Sequence, residues 1–92
     1  MIYRCTERFA KSFRLLPKNI QEKARKAFSL FKENPWHPSL RIKKIQGASD
    51  IWEGRIDEFH RFTFEYQTDP ESGQEICVFR NIGPHGILDS SP

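Results

Sequence analysis

The chain has 92 residues, of which 37% are hydrophobic and 29% charged, with eight Phe, two Trp and a net charge of +3. These proportions fit one small domain with a modest core and a polar exterior, and they exclude a disordered chain. No apolar run approaches the roughly 20 residues that span a bilayer, and MIYRCTERF lacks an apolar stretch of signal-peptide length, so we expect one cytoplasmic domain over residues 1–92.

The first half of the chain predicts a strand followed by two helices. IYRCT (2–6) is strand-like, and ERFAKSFRLL (7–16) repeats its apolar residues at the spacing of one helix face. Pro17 ends this helix and can open the next, KNIQEKARKAFSLFKEN (18–34), whose apolar residues also share a face. NPWHPS (34–39) then breaks the pattern with two prolines. We expect a helical hairpin with one apolar side.

The second half of the chain predicts antiparallel strands. From residue 39 apolar and polar residues alternate, which favours strands over residues 39–45, 50–56, 61–66 and 76–82. Ile45 is out of phase with its strand, which predicts a bulge there. The order of elements indicates an α+β fold, in which the N-terminal strand and helical hairpin pack on one face of a small, mostly antiparallel sheet of four or five strands. We expect the other face to be open to solvent or to a ligand.

The two cysteines do not indicate a metal site. Cys5 and Cys77 lie in two strand-like stretches and belong to no CxxC or CxxH pattern. In a reducing cytosol we expect two buried thiols, although strand pairing could bring them close enough for a disulfide.

Charge is unevenly distributed along the chain. Residues 1–47 carry twelve Lys and Arg against three Asp and Glu, whereas residues 48–92 carry three Arg against nine acidic residues. A half this basic favours an anionic partner, either nucleic acid or an acidic protein. Solvated helix faces would give the same pattern.

Strand alternation places a group of charged side chains on the predicted open face. In the strand over residues 61–66, Arg61 lies on the side opposite the aromatic residues. If the neighbouring strand points its apolar residues to the core, its alternate residues join Arg61. The predicted set is Arg41, Lys43, Glu53, Arg55 and Arg61.

A histidine follows the last strand, in the segment RNIGPHG. Ribonuclease-type cleavage needs a base for the ribose 2′-OH, an acid for the leaving 5′-oxygen and donors for the charge on phosphorus, and it requires no metal. Histidine suits the proton transfers and arginine suits the charge stabilisation. A histidine after Gly-Pro is more often a turn or surface residue than a catalyst, and Arg55 and Arg61 could pair with carboxylates across the strands. Spacing alone leaves both interpretations open.

The chain resembles the RelE/ParE superfamily of toxins from bacterial type II toxin–antitoxin systems. Four segments in order carry the resemblance: FAKSFRLLPKNIQEKARKAF, NPWHPSLRIKKIQG, DIWEGRIDEFHRFTFEY and VFRNIGPHGIL. The resemblance implies a helical hairpin packed on a small sheet and a cognate antitoxin that wraps and neutralises the toxin. It implies no cofactor, no metal and no membrane contact, with DNA approached only through the antitoxin complex.

The resemblance also implies an activity and a set of site residues. Members similar to RelE are mRNA interferases that cut mRNA in the ribosomal A site, whereas those similar to ParE act on DNA gyrase. HRFTF matches the strand with a phosphate-binding arginine, here Arg61, and IGPH matches the position of a catalytic residue, here His85. Arg55, in the matching strand WEGRI, is assigned to the same catalytic set. The basic strand used for RNA contact corresponds to Arg41, Lys43 and Lys44.

Two features depart from the nuclease pattern. The tail GILDSSP lacks the aromatic residue that several nuclease members place after the C-terminal catalytic position. The general base is open between Glu53, His37 and His60, of which the two histidines are expected in exposed loops. The sequence therefore predicts an endoribonuclease that inhibits translation on the ribosome. The alternatives are a gyrase toxin and a degenerate toxin that only binds its antitoxin.

Overall fold

The computed structural model describes residues 1–48 and 50–92. Its elements are β1 (Ile2–Cys5), α1 (Glu7–Leu15), α2 (Lys18–Glu33), a 3₁₀ turn (Pro38–Leu40), β2 (Lys43–Lys44), β3 (Trp52–Arg55), β4 (His60–Thr68), β5 (Glu75–Pro84) and α3 (Ile87–Ser90). This order confirms the predicted α+β class with its N-terminal strand and helical hairpin. Within the described ranges, no helix has the length and apolar character needed to cross a membrane.

The five strands form one sheet in the order β1-β5-β4-β3-β2. β1 runs parallel to β5, and every other neighbouring pair is antiparallel. The prediction of a small, mostly antiparallel sheet is therefore confirmed. The long central pair of β4 and β5 carries both the aromatic core and, at its far end, the predicted histidine.

Local hydrogen bonds fix the two helices of the hairpin. The Thr6 side chain accepts the backbone N–H of Phe9 at 3.1 Å, which satisfies a free donor in the first turn of α1. At the other end, Gln21 Nε2 donates to the carbonyl oxygens of Phe13 at 3.0 Å and Leu16 at 3.2 Å. α2 therefore supplies donors to the C-terminal carbonyls of α1, which ties the hairpin together.

The core is a cluster of phenylalanine rings between α2 and the sheet. Phe62 and Phe64 of β4 are 0% exposed, and the Phe31 ring of α2 lies 5.8 Å and 4.9 Å from their ring centroids. Phe79 of β5 packs 5.7 Å from Phe31. Most of these contacts are tilted or edge-to-face, the geometries that aromatic pairs prefer. The predicted apolar faces of helix and strand thus meet here.

The strand predicted over residues 39–45 is mostly absent. Residues Pro38–Leu40 form a 3₁₀ turn, and only Lys43–Lys44 pair with β3. Proline favours the first position of a helical turn, and Arg41 ends this turn with a left-handed φ of 46°. The predicted bulge at Ile45 is also wrong, since β2 ends before that residue. The bulge in the sheet lies beside Thr63, where Arg80 is the extra residue in β5.

The face that was expected to be open is partly covered by the C-terminal tail. α3 and the residues after it fold back over β4 and β5, where the Pro92 carbonyl accepts the hydroxyl of Thr63 at 2.7 Å. The Ser91 carbonyl accepts the side-chain amide of Asn81, also at 2.7 Å. Thr63 is 0% and Asn81 4% exposed, so the tail supplies partners for buried polar groups.

The two thiols differ in their environments. Cys77 is 0% exposed, and burial raises the pKa of its thiol to about 12. Cys5 is exposed at the end of the edge strand β1, so the expectation that both thiols are buried is wrong for Cys5. The register pairs Cys5 with Phe79 rather than with Cys77, and both cysteines are free.

Candidate active site

The register of β3 and β4 brings the predicted arginines side by side. Arg55 lies opposite Arg61, and Glu53 lies opposite Thr63. The alternate pair, Trp52 opposite Phe64, belongs to the aromatic core. Because successive side chains of a strand point to opposite faces, the arginines and the glutamate face away from the helices.

A cavity of about 240 Å³ collects most of the predicted site residues. We call it the site cavity, and its lining residues are Arg41, Lys43, Glu53, Arg55, Arg61 and His85. Four cationic side chains and an imidazole therefore surround one carboxylate. Such a set can bind a phosphodiester and can also exchange protons with it.

Lys44 lies outside the site cavity. It lines a neighbouring cavity of about 520 Å³ that shares Lys43, Glu53 and His85 with the site cavity. Its Nζ lies 5.5 Å from the ring centroid of Trp52, on the other side of the two-residue strand β2. Of the six residues predicted for catalysis or RNA binding, Lys44 alone is separated from the others in this way.

Backbone contacts on both sides fix the position of His85. Its N–H donates to the carbonyl of Phe59, in the β3–β4 turn, at 2.9 Å. Its own carbonyl accepts the N–H of Leu88 at 3.1 Å, which starts the tail helix. The imidazole is exposed and makes no hydrogen bond to any described residue, so it is available to a ligand.

Arg61 both lines the site cavity and makes hydrogen bonds to the β3–β4 turn, which spans residues 56–59. Its Nη1 donates to the carbonyl oxygens of Asp57 at 2.6 Å, Glu58 at 3.3 Å and His60 at 3.0 Å. All the hydrogen bonds that this side chain makes to the described residues come from Nη1. Since a guanidinium has five N–H donors, Nη2 and Nε remain for an anion.

The arginines do not form the cross-strand ion pairs that were the alternative interpretation. Arg80, the bulged residue of β5, pairs with Glu65 at 3.0 Å. Between residues 1–48 and 50–92, neither Arg55 nor Arg61 has a carboxylate oxygen within 4.0 Å. The two guanidinium groups are therefore not neutralised by a close carboxylate.

Of the three candidates for the general base, Glu53 lies in the site cavity. It is 8% exposed and lines the cavity together with His85. No salt bridge of the described chain includes it. His37 instead caps the 3₁₀ turn, where its Nδ1 accepts the N–H of Ser39 at 3.2 Å.

The third candidate, His60, has a structural partner. Its Nδ1 lies 2.9 Å from Asp57 Oδ1, and the residue is partly buried at the start of β4 rather than in an exposed loop. Although partial burial opposes the shift, hydrogen bonds from the His60 side chain and from the N–H groups of Phe59 and His60 lower the pKa of Asp57 to about 2. His60 therefore belongs to the turn and not to the site cavity.

Asp57 is the residue of this region that the sequence interpretation missed. Its carboxylate accepts the backbone N–H of Phe59 at 2.9 Å and of His60 at 2.8 Å, and so shapes the turn that holds His85. An Asp that begins a short polar connection between strands is a recognisable turn signal. That signal was available in DEFH.

The described residues contain no group of three His, Cys, Asp or Glu side chains that could hold a metal ion.

Comparison with solved structures relates this geometry to known proteins. A YoeB/ParE toxin from Agrobacterium tumefaciens matches with a TM-score of 0.73 and 16% identity, over 92% of this chain and 99% of that chain. YafQ from E. coli strain BL21(DE3) matches with a TM-score of 0.72 and 15% identity, over 95% of this chain and 96% of that chain. A chain of the RelB–RelE antitoxin–toxin complex from Methanococcus jannaschii matches with a TM-score of 0.66 and 18% identity, over 100% of both chains.

Comparison by sequence found no match, either to a family model or to a curated protein. The structural matches extend over almost the whole length of each matched chain. The resemblance inferred from the four sequence segments is thereby confirmed for the fold. This chain has the fold of the RelE, YafQ and YoeB/ParE toxins.

Proposed function

We propose that this protein is the toxin of a type II toxin–antitoxin system and that it inhibits translation as a ribosome-dependent mRNA interferase. The observation that carries the proposal is the site cavity, in which Glu53 and His85 lie together with Arg55 and Arg61. The fold, which is that of RelE, YafQ and YoeB/ParE toxins, supports the same class.

The reaction is an attack of a ribose 2′-oxygen on the adjacent phosphorus. Glu53 takes the proton of the 2′-OH as the new P–O2′ bond forms. The P–O5′ bond breaks, and protonated His85 donates a proton to the leaving 5′-oxygen. The products are a 2′,3′-cyclic phosphate and a 5′-hydroxyl, and no metal or cofactor takes part.

The arginines stabilise the charge that develops on the phosphate. Arg55 and the free donors of Arg61 contact the non-bridging oxygens, which gain charge in the transition state. Arg41, Lys43 and Lys44 bind the neighbouring RNA backbone, so we expect binding to weaken as the salt concentration rises.

The partners follow from this activity. The protein acts on mRNA in the ribosome, in the cytoplasm, and a cognate antitoxin neutralises it. The outer faces of α1 and α2 carry most of the basic residues of residues 1–47, which suits an acidic or amphipathic antitoxin segment. Contact with DNA occurs only through the toxin–antitoxin complex.

Expression in growing cells tests this function. We expect the wild-type protein to arrest growth and to produce new mRNA 5′ ends in primer extension, and His85→Ala and Arg55→Ala to abolish both. Arg55→Ala is preferred to Arg61→Ala, because Arg61 also holds the β3–β4 turn. Retained antitoxin binding in both variants is the control for folding.

A non-catalytic toxin gives a different result. Two features favour it as the second candidate: the hydrogen bonds of Arg61 to the β3–β4 turn give this residue a structural role, and the tail has no aromatic residue. It predicts intact mRNA, and in its gyrase form it predicts broken DNA in a supercoiling assay. Undiminished mRNA cleavage by both the His85 and the Arg55 variants would reject the assignment of the site.

A further inference from the structure

A third cavity, of about 250 Å³, lies between α2, the 3₁₀ turn and β3. We call it the helix-side cavity. Its cationic lining residues are Lys23, Lys26 and Arg55, and its apolar wall includes Leu30, Leu40 and Ile56. No acidic side chain of the described chain lines it. A groove edged by cations can follow the phosphate backbone of a single-stranded nucleic acid.

The helix-side cavity continues the site cavity. Arg55, the last residue of β3, lines both of them, so the two cavities meet at this residue. On its other side, the site cavity adjoins the cavity lined by Lys44. The three concavities therefore form a series with the site cavity in the middle, as a substrate that extends in both directions requires.

We propose that the helix-side cavity binds the nucleotide next to the scissile phosphate of a single-stranded RNA. The base packs against Leu30 and Ile56, and the lysines contact the backbone phosphate. The inference rests on the proposed function, because it takes RNA as the ligand. Lysine–phosphate contacts and an apolar wall accept any base, so this subsite contributes affinity and position without selecting a sequence.

The two lysines of the cavity differ in their other contacts. Lys23 Nζ lies 3.5 Å from Asp57 Oδ2, so a change at Lys23 would also alter the β3–β4 turn. Lys26 is exposed and makes no hydrogen bond or salt bridge to another described residue. Lys26→Ala therefore removes one charge from the cavity without removing a structural contact, and alanine is the best helix former.

The salt dependence of RNA binding tests the subsite. The probe is a single-stranded RNA of about ten nucleotides with 2′-O-methyl groups, which blocks cleavage. For Lys26→Ala we expect the Kd to rise about two- to fivefold. We also expect the slope of log Kd against log salt to fall by about 0.7, the value for one lost phosphate contact. Lys11→Ala, an equal charge change on α1 outside all three cavities, should alter neither quantity.

The outcomes separate this inference from the proposed function. Equal effects of Lys26→Ala and Lys11→Ala, or no effect of either, would overturn the subsite. Cleavage on ribosomes is measured in parallel, and a Lys26→Ala variant that raises KM more than it lowers kcat supports the subsite. Normal cleavage with an unchanged KM in this variant overturns the subsite and leaves the function standing. An inactive wild type whose RNA binding still depends on Lys26 refutes the function and supports RNA binding in the helix-side cavity.

Discussion

Gly54 is the residue at which β3 comes closest to the aromatic core. A Cβ added there would lie 2.2 Å from Phe62 Cζ and 2.9 Å from Ile42 Cδ1. Phe62 is 0% exposed, so its ring has no free space into which it could move. The glycine therefore lets the backbone of β3, the strand that bears Glu53 and Arg55, pack directly against the core.

We expect Gly54→Ala to destabilise the protein by about 1–3 kcal/mol or more, because the added methyl group displaces the Phe62 ring. Gly86→Ala is the matched control, since nothing lies within 4 Å of its added Cβ and its φ is −59°. Urea denaturation measures both variants. A Gly54 variant as stable as the Gly86 variant would show that β3 and Phe62 are not in close contact.

The β3–β4 turn is the element that links the arginines to His85. Asp57 accepts N–H groups inside the turn, Arg61 binds its carbonyls, and the Phe59 carbonyl accepts the N–H of His85. Lys23 of α2 adds an ion pair to the same carboxylate. The turn thus positions both a guanidinium and an imidazole of the site cavity.

The low pKa of Asp57 makes this turn sensitive to acid. Its pKa falls from 3.8 to about 2 on folding, so the charged form stabilises the protein above pH 3.8 and this contribution is lost as pH falls toward 2. We expect Asp57→Asn to cost about 1–2 kcal/mol at pH 7 and little near pH 2. Urea denaturation across this pH range is the measurement. An equal loss at both ends of the range would contradict the role of the charge.

The elements show which parts of the structure local sequence can predict. Arg55 and Arg61 were placed side by side because strand alternation has a period of two and antiparallel pairing fixes the face. The 3₁₀ turn was missed because the left-handed conformation of Arg41, a non-glycine residue, has no local signal. α3 has four residues, too few to show a helical period, so its position over the sheet could not be predicted.

At the scale of the whole molecule, the fold brings the basic first half of the chain to a site built mainly by the second half. Arg41 and Lys43 come from the first half, whereas Glu53, Arg55, Arg61 and His85 come from the second. The sequence predicted this set, and it also left three candidates for the base. Only the pairing of β3 with β4, and of β4 with β5, distinguishes Glu53 from the two histidines, because that choice depends on contacts between distant segments.

The central claim is that Glu53 and His85 act on one phosphate, and single-turnover cleavage of mRNA on purified ribosomes tests it most directly. We expect Glu53→Gln and His85→Gln each to slow cleavage by about 10²–10⁴-fold. We expect Lys11→Ala to cut at the normal rate, with 2′,3′-cyclic phosphate and 5′-hydroxyl ends on the products. A 2′-deoxy substitution at the cleaved nucleotide should prevent the reaction. Cleavage of that substrate, or cleavage at the wild-type rate by both glutamine variants, would contradict the account.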